Sequence, residues 1–183
     1  MNEARSALAP VTVRDCSEAD IPSVTAIYAH YVRTSLATFD ETPPSAAEMM
    51  QRRVDVTARG MCFLVATGAD DTILGFVYAA PFRLRTAYRF SVEDSVYVAP
   101  DATRRGIGRA LMSELIVRCT VAGFRQMVAV IGDSANAPSI GLHEALGFQR
   151  IGVLPAIGFK LGRWVDGVLM QRALGPGSAT PPV

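Results

Sequence analysis

Tyr97-Val98-Ala99-Pro100-Asp101-Ala102-Thr103-Arg104-Arg105-Gly106-Ile107-Gly108-Arg109-Ala110-Leu111 reads as a strand end, a polar loop and a helix start. Glycines let backbone N–H groups turn toward an anion without interference from a Cβ. A helix start adds unpaired N–H donors and the positive end of the helix dipole. Arg104, Arg105 and Arg109 supply charge. The stretch therefore predicts a diphosphate held at a helix N-terminus. No Lys-Ser/Thr follows the glycines, so a Walker loop fails. A dinucleotide loop fails too: a polar stretch separates the glycines from the strand, and Leu111 stands at the third glycine's place. The plain alternative is a loop whose helix happens to start at glycine.

Outward from this loop, the chain divides into short elements. On its N-terminal side, Ser91 to Ala99 is a strand with Glu93, Ser95 and Tyr97 on one face and Val92, Asp94, Val96 and Val98 on the other. Met61 to Thr67 and Thr72 to Ala80 form a hairpin around Gly-Ala-Asp-Asp. Val11 to Arg14 is a first strand. Ser17 with Asp20 has capping-box spacing before a helix carrying Ile21, Val24, Ile27/Tyr28 and Tyr31. Thr38 to Pro44 breaks that helix. Ser45 with Glu48 caps a second, which Gly60 closes. On the C-terminal side, a helix runs from about Gly108 to Ala122 with Leu111, Leu115, Cys119 and Ala122 as its apolar stripe. Gln126 to Ile131 is a strand, and Ala137 to Leu146 a short helix stopped by Gly147. Residues 148–174 hold two strands joined by a loop around Gly158 to Arg163, which places Lys160, Arg163 and Trp164 in a late loop. The predicted class is α/β: a mixed, mostly antiparallel sheet flanked by helices, in one domain over 11–174. The ends, 1–10 and 175–183, are expected to be flexible because their composition offers nothing to bury.

Composition narrows the function classes. The chain has 183 residues, 50% hydrophobic and 19% charged, with a formal net charge of +1. That balance speaks against a nucleic-acid-binding protein, which needs concentrated basic surface. Cys16, Cys62 and Cys119 show neither zinc spacing nor a disulfide framework, so no metal is expected and a reducing, cytoplasmic setting follows. Apolar runs fall short of the ~20 residues of a membrane span, and no secretory leader stands at the start.

The loop resembles the acyl-CoA loop of the GNAT superfamily of N-acetyltransferases, whose pattern is Gln/Arg-x-x-Gly-x-Gly/Ala. Here the frame is Thr103-Arg104-Arg105-Gly106-Ile107-Gly108, with Thr103 departing at the first position. A second family motif, Asn-x-x-Ala/Ser-x-x-x-Tyr before Gly-Phe, is similar to Asn136-Ala137-Pro138-Ser139-Ile140-Gly141-Leu142-His143 before Gly147-Phe148. Ala37-Thr38-Phe39, Ala80-Pro81-Phe82-Arg83, Glu93-Asp94-Ser95-Val96-Tyr97-Val98 and Leu142 to Phe148 resemble the phosphinothricin acetyltransferase branch, which also acts on methionine sulfoximine and methionine sulfone.

The resemblance implies a GNAT fold, acetyl-CoA as cosubstrate without a metal, a homodimer, and direct transfer to an amine. It implies Glu93 as the general base that frees the amine's lone pair. It implies His143, where many members carry Tyr, as an acid or water holder, the alternative being a surface or capping histidine. Val96, Tyr97, Val98, Arg104, Arg105, Gly106, Ile107, Gly108, Arg109, Asn136 and Ser139 become the expected cofactor contacts, with a backbone N–H near Tyr97-Val98 for the oxyanion. Phe39, Arg83, Arg85 and Tyr88 become the expected substrate contacts, since guanidinium forks pair with carboxylate or phosphinate oxygens. Trp164 is expected to pack at an interface between protomers. Two other readings stay open: a GNAT enzyme acting on polyamines, protein N-termini or aminoglycosides, and a non-catalytic acyl-CoA sensor.

Overall fold

The structure is a computed structural model that describes residues 11–182. The expected flexible segment 1–10 and residue 183 lie outside the described residues. The described elements, in order, are β1 (Thr12–Asp15), α1 (Ile21–Thr34), α2 (Ala46–Ala58), β2 (Phe63–Thr67), β3 (Ile73–Pro81), β4 (Ser91–Val98), α3 (Ile107–Val121), β5 (Gln126–Gly132), α4 (Ala137–Ala145), β6 (Gln149–Lys160) and β7 (Arg163–Ala173). The strands make one sheet of order β1-β2-β3-β4-β5-β7-β6. Every pairing is antiparallel except β4–β5, which α3 connects as a parallel crossover.

Local chemistry explains where the helices begin. Ser17 N–H donates to Asp20 at 2.7 Å, and Arg14 donates to the same carboxylate at 2.7 Å. That carboxylate ties β1 to the start of α1. Ser45 and Glu48 satisfy each other's backbone N–H groups at 2.7 and 3.2 Å, which opens α2. Gly60, at φ +72°, turns the chain out of α2.

The helices flank both sheet faces. Tyr28 of α1 packs on Phe76 and Tyr97, with ring centroids 6.4 and 4.9 Å apart. On the opposite face, Leu111 of α3 lies against Gly75, where a Cβ would also come within 2.7 Å of the Tyr97 carbonyl oxygen. The core runs through both layers, from Val24, Met49 and Phe63 to Met112, Leu115 and Met127. Burying that apolar area supplies the main drive to fold.

Three expectations need correction. Ala122 is exposed and lies past the end of α3; the stripe instead starts one turn earlier, at buried Ile107. The late loop is strand: β6 and β7 meet in a tight turn at Leu161-Gly162, both at positive φ (50° and 77°), as the two-residue hairpin requires. Lys160 and Arg163 therefore pair across the hairpin, and Trp164 pairs with Phe159. Gly158 lies within β6 and does not open the loop: the register shifts between Arg150 and Gly152 and again between Leu154 and Gly158, and pairing with β7 resumes from Gly158 to Lys160. Finally, the tail folds back as far as residue 182, with Arg125 donating to the Gly177 and Pro181 carbonyls at 3.2 and 3.0 Å.

Candidate active site

The parallel β4–β5 ladder pairs only Ser91–Glu93 with Gln126–Val128. Beyond Glu93 the two strands part, while β4 stays paired with β3 through Val98. Ala99 N–H reaches the Leu74 carbonyl at 2.8 Å and Phe82 N–H the Ser91 carbonyl at 3.3 Å, so the odd-numbered residues of β4 face β3. Alternation then turns the N–H groups of Asp94, Val96 and Val98 toward β5: that of Asp94 closes the last rung of the ladder, and those of Val96 and Val98 face the gap. The gap opens into a cleft of about 1160 Å³, lined by β4, the end of β5, α1, the loop after it, the glycine loop and α4.

The glycine loop forms one mouth of the cleft. Arg104 at φ +59° and Gly106 at φ +78° curl the backbone before α3, whose first N–H groups have no helical partner. Arg104, Gly106, Gly108 and Arg109 line the cleft. Ile107 also lines it, but its side chain is core, so it offers only backbone. A Cβ on Gly108 would press on Leu142 at 3.2 Å, so glycine there keeps α3 close to α4. Arg105 is exposed and lies off the cleft. Asn136 caps α4 by accepting from Ser139 N–H at 3.3 Å and donates to the Gly132 carbonyl at 3.3 Å. It lines the cleft while performing a structural task.

Glu93 sits at the last position where β4 pairs with β5, opposite Ala80 on β3 and Val128 on β5. It is half-buried and lines the cleft. Burial raises its carboxyl pKa above the usual glutamate value, and the charge of Asp94 adds to the rise, against a smaller lowering by Arg83. A carboxyl held in this way is a stronger proton acceptor than a surface glutamate.

His143 lies behind Glu93, on the other side of the sheet. Its side chain and that of Asp94 are each only 2% exposed. Nδ1 donates to the Ser139 carbonyl at 2.8 Å and Nε2 to Asp94 Oδ2 at 3.0 Å. Both ring nitrogens thus face acceptors, the pattern an imidazolium satisfies. Burial alone would lower the histidine pKa, but Asp94 and the Ser139 carbonyl outweigh it and raise it overall. Neither nitrogen is left to serve a leaving group. Among the described residues, Asp94 Oδ1 has no hydrogen-bond partner.

The expected substrate contacts separate. Phe39 lines the cleft, with its ring close against Gly158. Arg83, Arg85 and Tyr88 are exposed and off the cleft of their own chain. Arg83 folds onto the Phe82 ring at 4.6 Å and donates to the Phe82 carbonyl at 3.1 Å. Inside the cleft stand residues to which the sequence reading had given no site role: Tyr28, Tyr31, Asp40, Arg52 and Tyr78. The tyrosine spacing was visible but counted as helix packing, and Arg52 looked like any arginine of an amphipathic helix. Tyr31 Oη donates to the Val98 carbonyl at 2.6 Å and so fixes the end of β4.

A glycine-loop helix beside a parted pair of parallel strands defines a class, and the comparisons agree with it. The model of the acetyltransferase (GNAT) family matches residues 24–148, and the chain belongs to that family of enzymes. It is 52% identical over 171 residues to a phosphinothricin N-acetyltransferase of Alcaligenes faecalis, covering 93% of this chain and 86% of the relative. It is 40% identical to an L-methionine sulfoximine/L-methionine sulfone acetyltransferase of Pseudomonas aeruginosa, covering 93% and 98%. A crystal structure of a GNAT superfamily phosphinothricin acetyltransferase from Sinorhizobium meliloti, in complex with AcCoA, superposes with a TM-score of 0.92 at 51% identity, covering 94% and 93%.

Proposed function

We propose that the chain transfers the acetyl group of acetyl-CoA directly to the α-amino group of a small amino-acid analogue, phosphinothricin, methionine sulfoximine or methionine sulfone, with Glu93 as general base. The observation that carries this is the place of Glu93: a half-buried, proton-seeking carboxyl at the point where β4 and β5 part. On one side of it, past the last rung of the β4–β5 ladder, lie the backbone donors of Val96 and Val98. On the sheet face it shares with Tyr78 lies the space under α1 and α2.

The residues present suit acetyl-CoA. The curled loop at Arg104 to Gly106, the first N–H groups of α3 and the side chains of Arg104 and Arg109 suit a diphosphate. The β4 N–H groups suit the amide-bearing arm and the developing oxyanion. Bound there, acetyl-CoA supplies an activated acyl thioester. Glu93 takes the proton from the acceptor's ammonium, directly or through a water, so that a lone pair can attack. His143, with both nitrogens engaged, holds α4 against β4 in this reading and leaves the thiolate to depart without it. The free thiols Cys16, Cys62 and Cys119 favour a reducing compartment, the cytoplasm.

The β6–β7 hairpin supports a homodimer. Ile151, Leu154, Ile157, Phe159, Leu161 and Trp164 are all exposed there, and β6 is an edge strand. A long apolar edge calls for a partner, and a second copy brings the same face. Such a partner would also approach Phe39, which leans on Gly158.

The test is release of free thiol from acetyl-CoA with a panel of amines: phosphinothricin, methionine sulfoximine, methionine sulfone, spermidine and an N-terminal peptide. Turnover on the first three supports the reading. A preference for spermidine or the peptide overturns it, and tight acetyl-CoA binding without any turnover indicates a sensor.

A further inference from the structure

We infer that Arg52 is a specificity-determining residue, whose guanidinium receives anionic oxygens of the amino-acid acceptor; this rests on the acceptor class proposed above. Among the described residues, Arg52, Arg104, Arg109 and His143 are the basic side chains that line the cleft; Arg104 and Arg109 belong to the glycine loop, and both nitrogens of His143 are taken by Ser139 and Asp94. Arg52 is therefore the cation of the acceptor side.

The sheet register places it relative to the base. Tyr78 is opposite Ser95, and Ala80 is opposite Glu93. Directly paired residues share a face, and residues two apart along a strand share it too. Tyr78 and Glu93 thus look out from the same face, one same-face step apart. Arg52 reaches down from α2 onto the Tyr78 hydroxyl at 3.4 Å. Its guanidinium stands over the Tyr28 ring, 5.1 Å from the centroid. A carboxyl that accepts the ammonium proton and a guanidinium that accepts oxyanions then share one wall, as a zwitterionic acceptor requires.

The guanidinium is held in place but not used up. It carries five N–H donors. Its polar contacts are long: 3.4 Å to Tyr78 and 3.5 Å to Asp40 Oδ2, an oxygen that already accepts the Tyr28 hydroxyl at 2.7 Å. An ion pair of that length to a half-exposed partner contributes little. The Tyr28 ring and the Tyr78 hydroxyl fix the position of the fork and leave donors for a bidentate guest. Arg83 and Arg85, by contrast, lie outside the cleft of their own chain.

The anion has two sources in these acceptors: the α-carboxylate, common to all of them, and the phosphinate of phosphinothricin, for which methionine sulfone offers a neutral sulfone. The experiment compares wild type, Arg52→Gln and Arg52→Lys, measuring KM and kcat for phosphinothricin and for methionine sulfone, KM for acetyl-CoA, and melting temperature. In Arg52→Gln the acceptor KM is expected to rise about 10- to 100-fold, the range for losing a charge-assisted hydrogen bond. That rise should far exceed any fall in kcat, leave the acetyl-CoA KM in place, and be partly restored in Arg52→Lys. A rise confined to phosphinothricin identifies the phosphinate as the guest; an equal rise for both acceptors identifies the α-carboxylate. Unchanged acceptor KM in a wild-type-active background overturns the inference alone. So does an acetyl-CoA KM that climbs in step with the acceptor's while the melting temperature falls, because that marks a packing role. Wild-type inactivity on both amino acids overturns the acceptor class and the inference with it.

Discussion

Replacing His143 by alanine should cost far more stability than replacing Asp94 by asparagine, although the two side chains form one hydrogen bond. In His143→Ala the Asp94 carboxylate loses its one side-chain partner among the described residues, since Oδ1 has none there and Oδ2 is bonded to His143 at 3.0 Å. Both side chains are 2% exposed, so the stranded charge stays out of water. Removing one member of such a buried pair costs about 3–5 kcal/mol. At roughly 2–4 °C per kcal/mol for a chain of this length, that is a melting temperature lower by about 6–20 °C. Asp94→Asn is isosteric, and its amide can donate to Nε2 of a neutral ring whose Nδ1–H keeps the Ser139 carbonyl. The rewired bond should limit the loss to about 1 kcal/mol. Thermal melts of the three proteins at several pH values provide the assay. Folded His143 holds its proton more tightly than the unfolded chain does. The stabilisation from its imidazolium is therefore complete below about pH 6.5 and fades as pH rises through the higher folded value. The His143→Ala penalty should shrink accordingly toward alkaline pH. Equal penalties for the two variants, or a His143→Ala penalty that grows with pH, would refute the charged-pair account.

Three other outcomes follow from the same geometry. Glu93→Gln should fold and bind acetyl-CoA yet lose about 10²–10⁴-fold in kcat. The wild-type acid limb of kcat/KM should lie above the ordinary glutamate value of 4.5, because burial and Asp94 raise it; a limb that persists in the variant would remove Glu93 as the base. Gly132→Ala should destabilise by about 1–3 kcal/mol, the usual range for overpacking, because its Cβ would overlap the Leu36 carbonyl oxygen, a backbone atom that no rotamer change can move; an unchanged melting temperature would contradict that close approach. Phe159→Glu with Trp164→Glu, two side chains that are 54% and 66% exposed, should sediment as a monomer if the wild type is the expected dimer. A wild type that sediments as a monomer would sink the hairpin interface.

Most of the framework was legible in the chain because its determinants are local. Capping boxes at Ser17/Asp20 and Ser45/Glu48, glycines after helices and period-two alternation along Ser91 to Val98 act within a few residues. The glycine loop was legible for the same reason: its two glycines, its arginines and its helix start are contiguous. Glu93 was flagged by resemblance, and its strand face by alternation. The late hairpin was misread because Gly158 acts locally as a breaker, yet the ladder with β7 absorbs it after a register shift.

By itself, then, the sequence determined the order of elements, the glycine loop at the start of α3 and the face on which Glu93 stands. Only the tertiary structure decided what meets what. The parting of β4 from β5 beyond Glu93 comes from pairing across more than thirty residues. The Asp94–His143 bond joins a strand to a helix 49 positions away, on the sheet face opposite Glu93. Arg52 reaches the cleft, while Arg83 and Arg85, which carry the same charge, stay outside it. Charge is a property of a residue. The cleft that makes use of it is a property of the packed sheet, because the long-range contacts that shape it have no local signature in the chain.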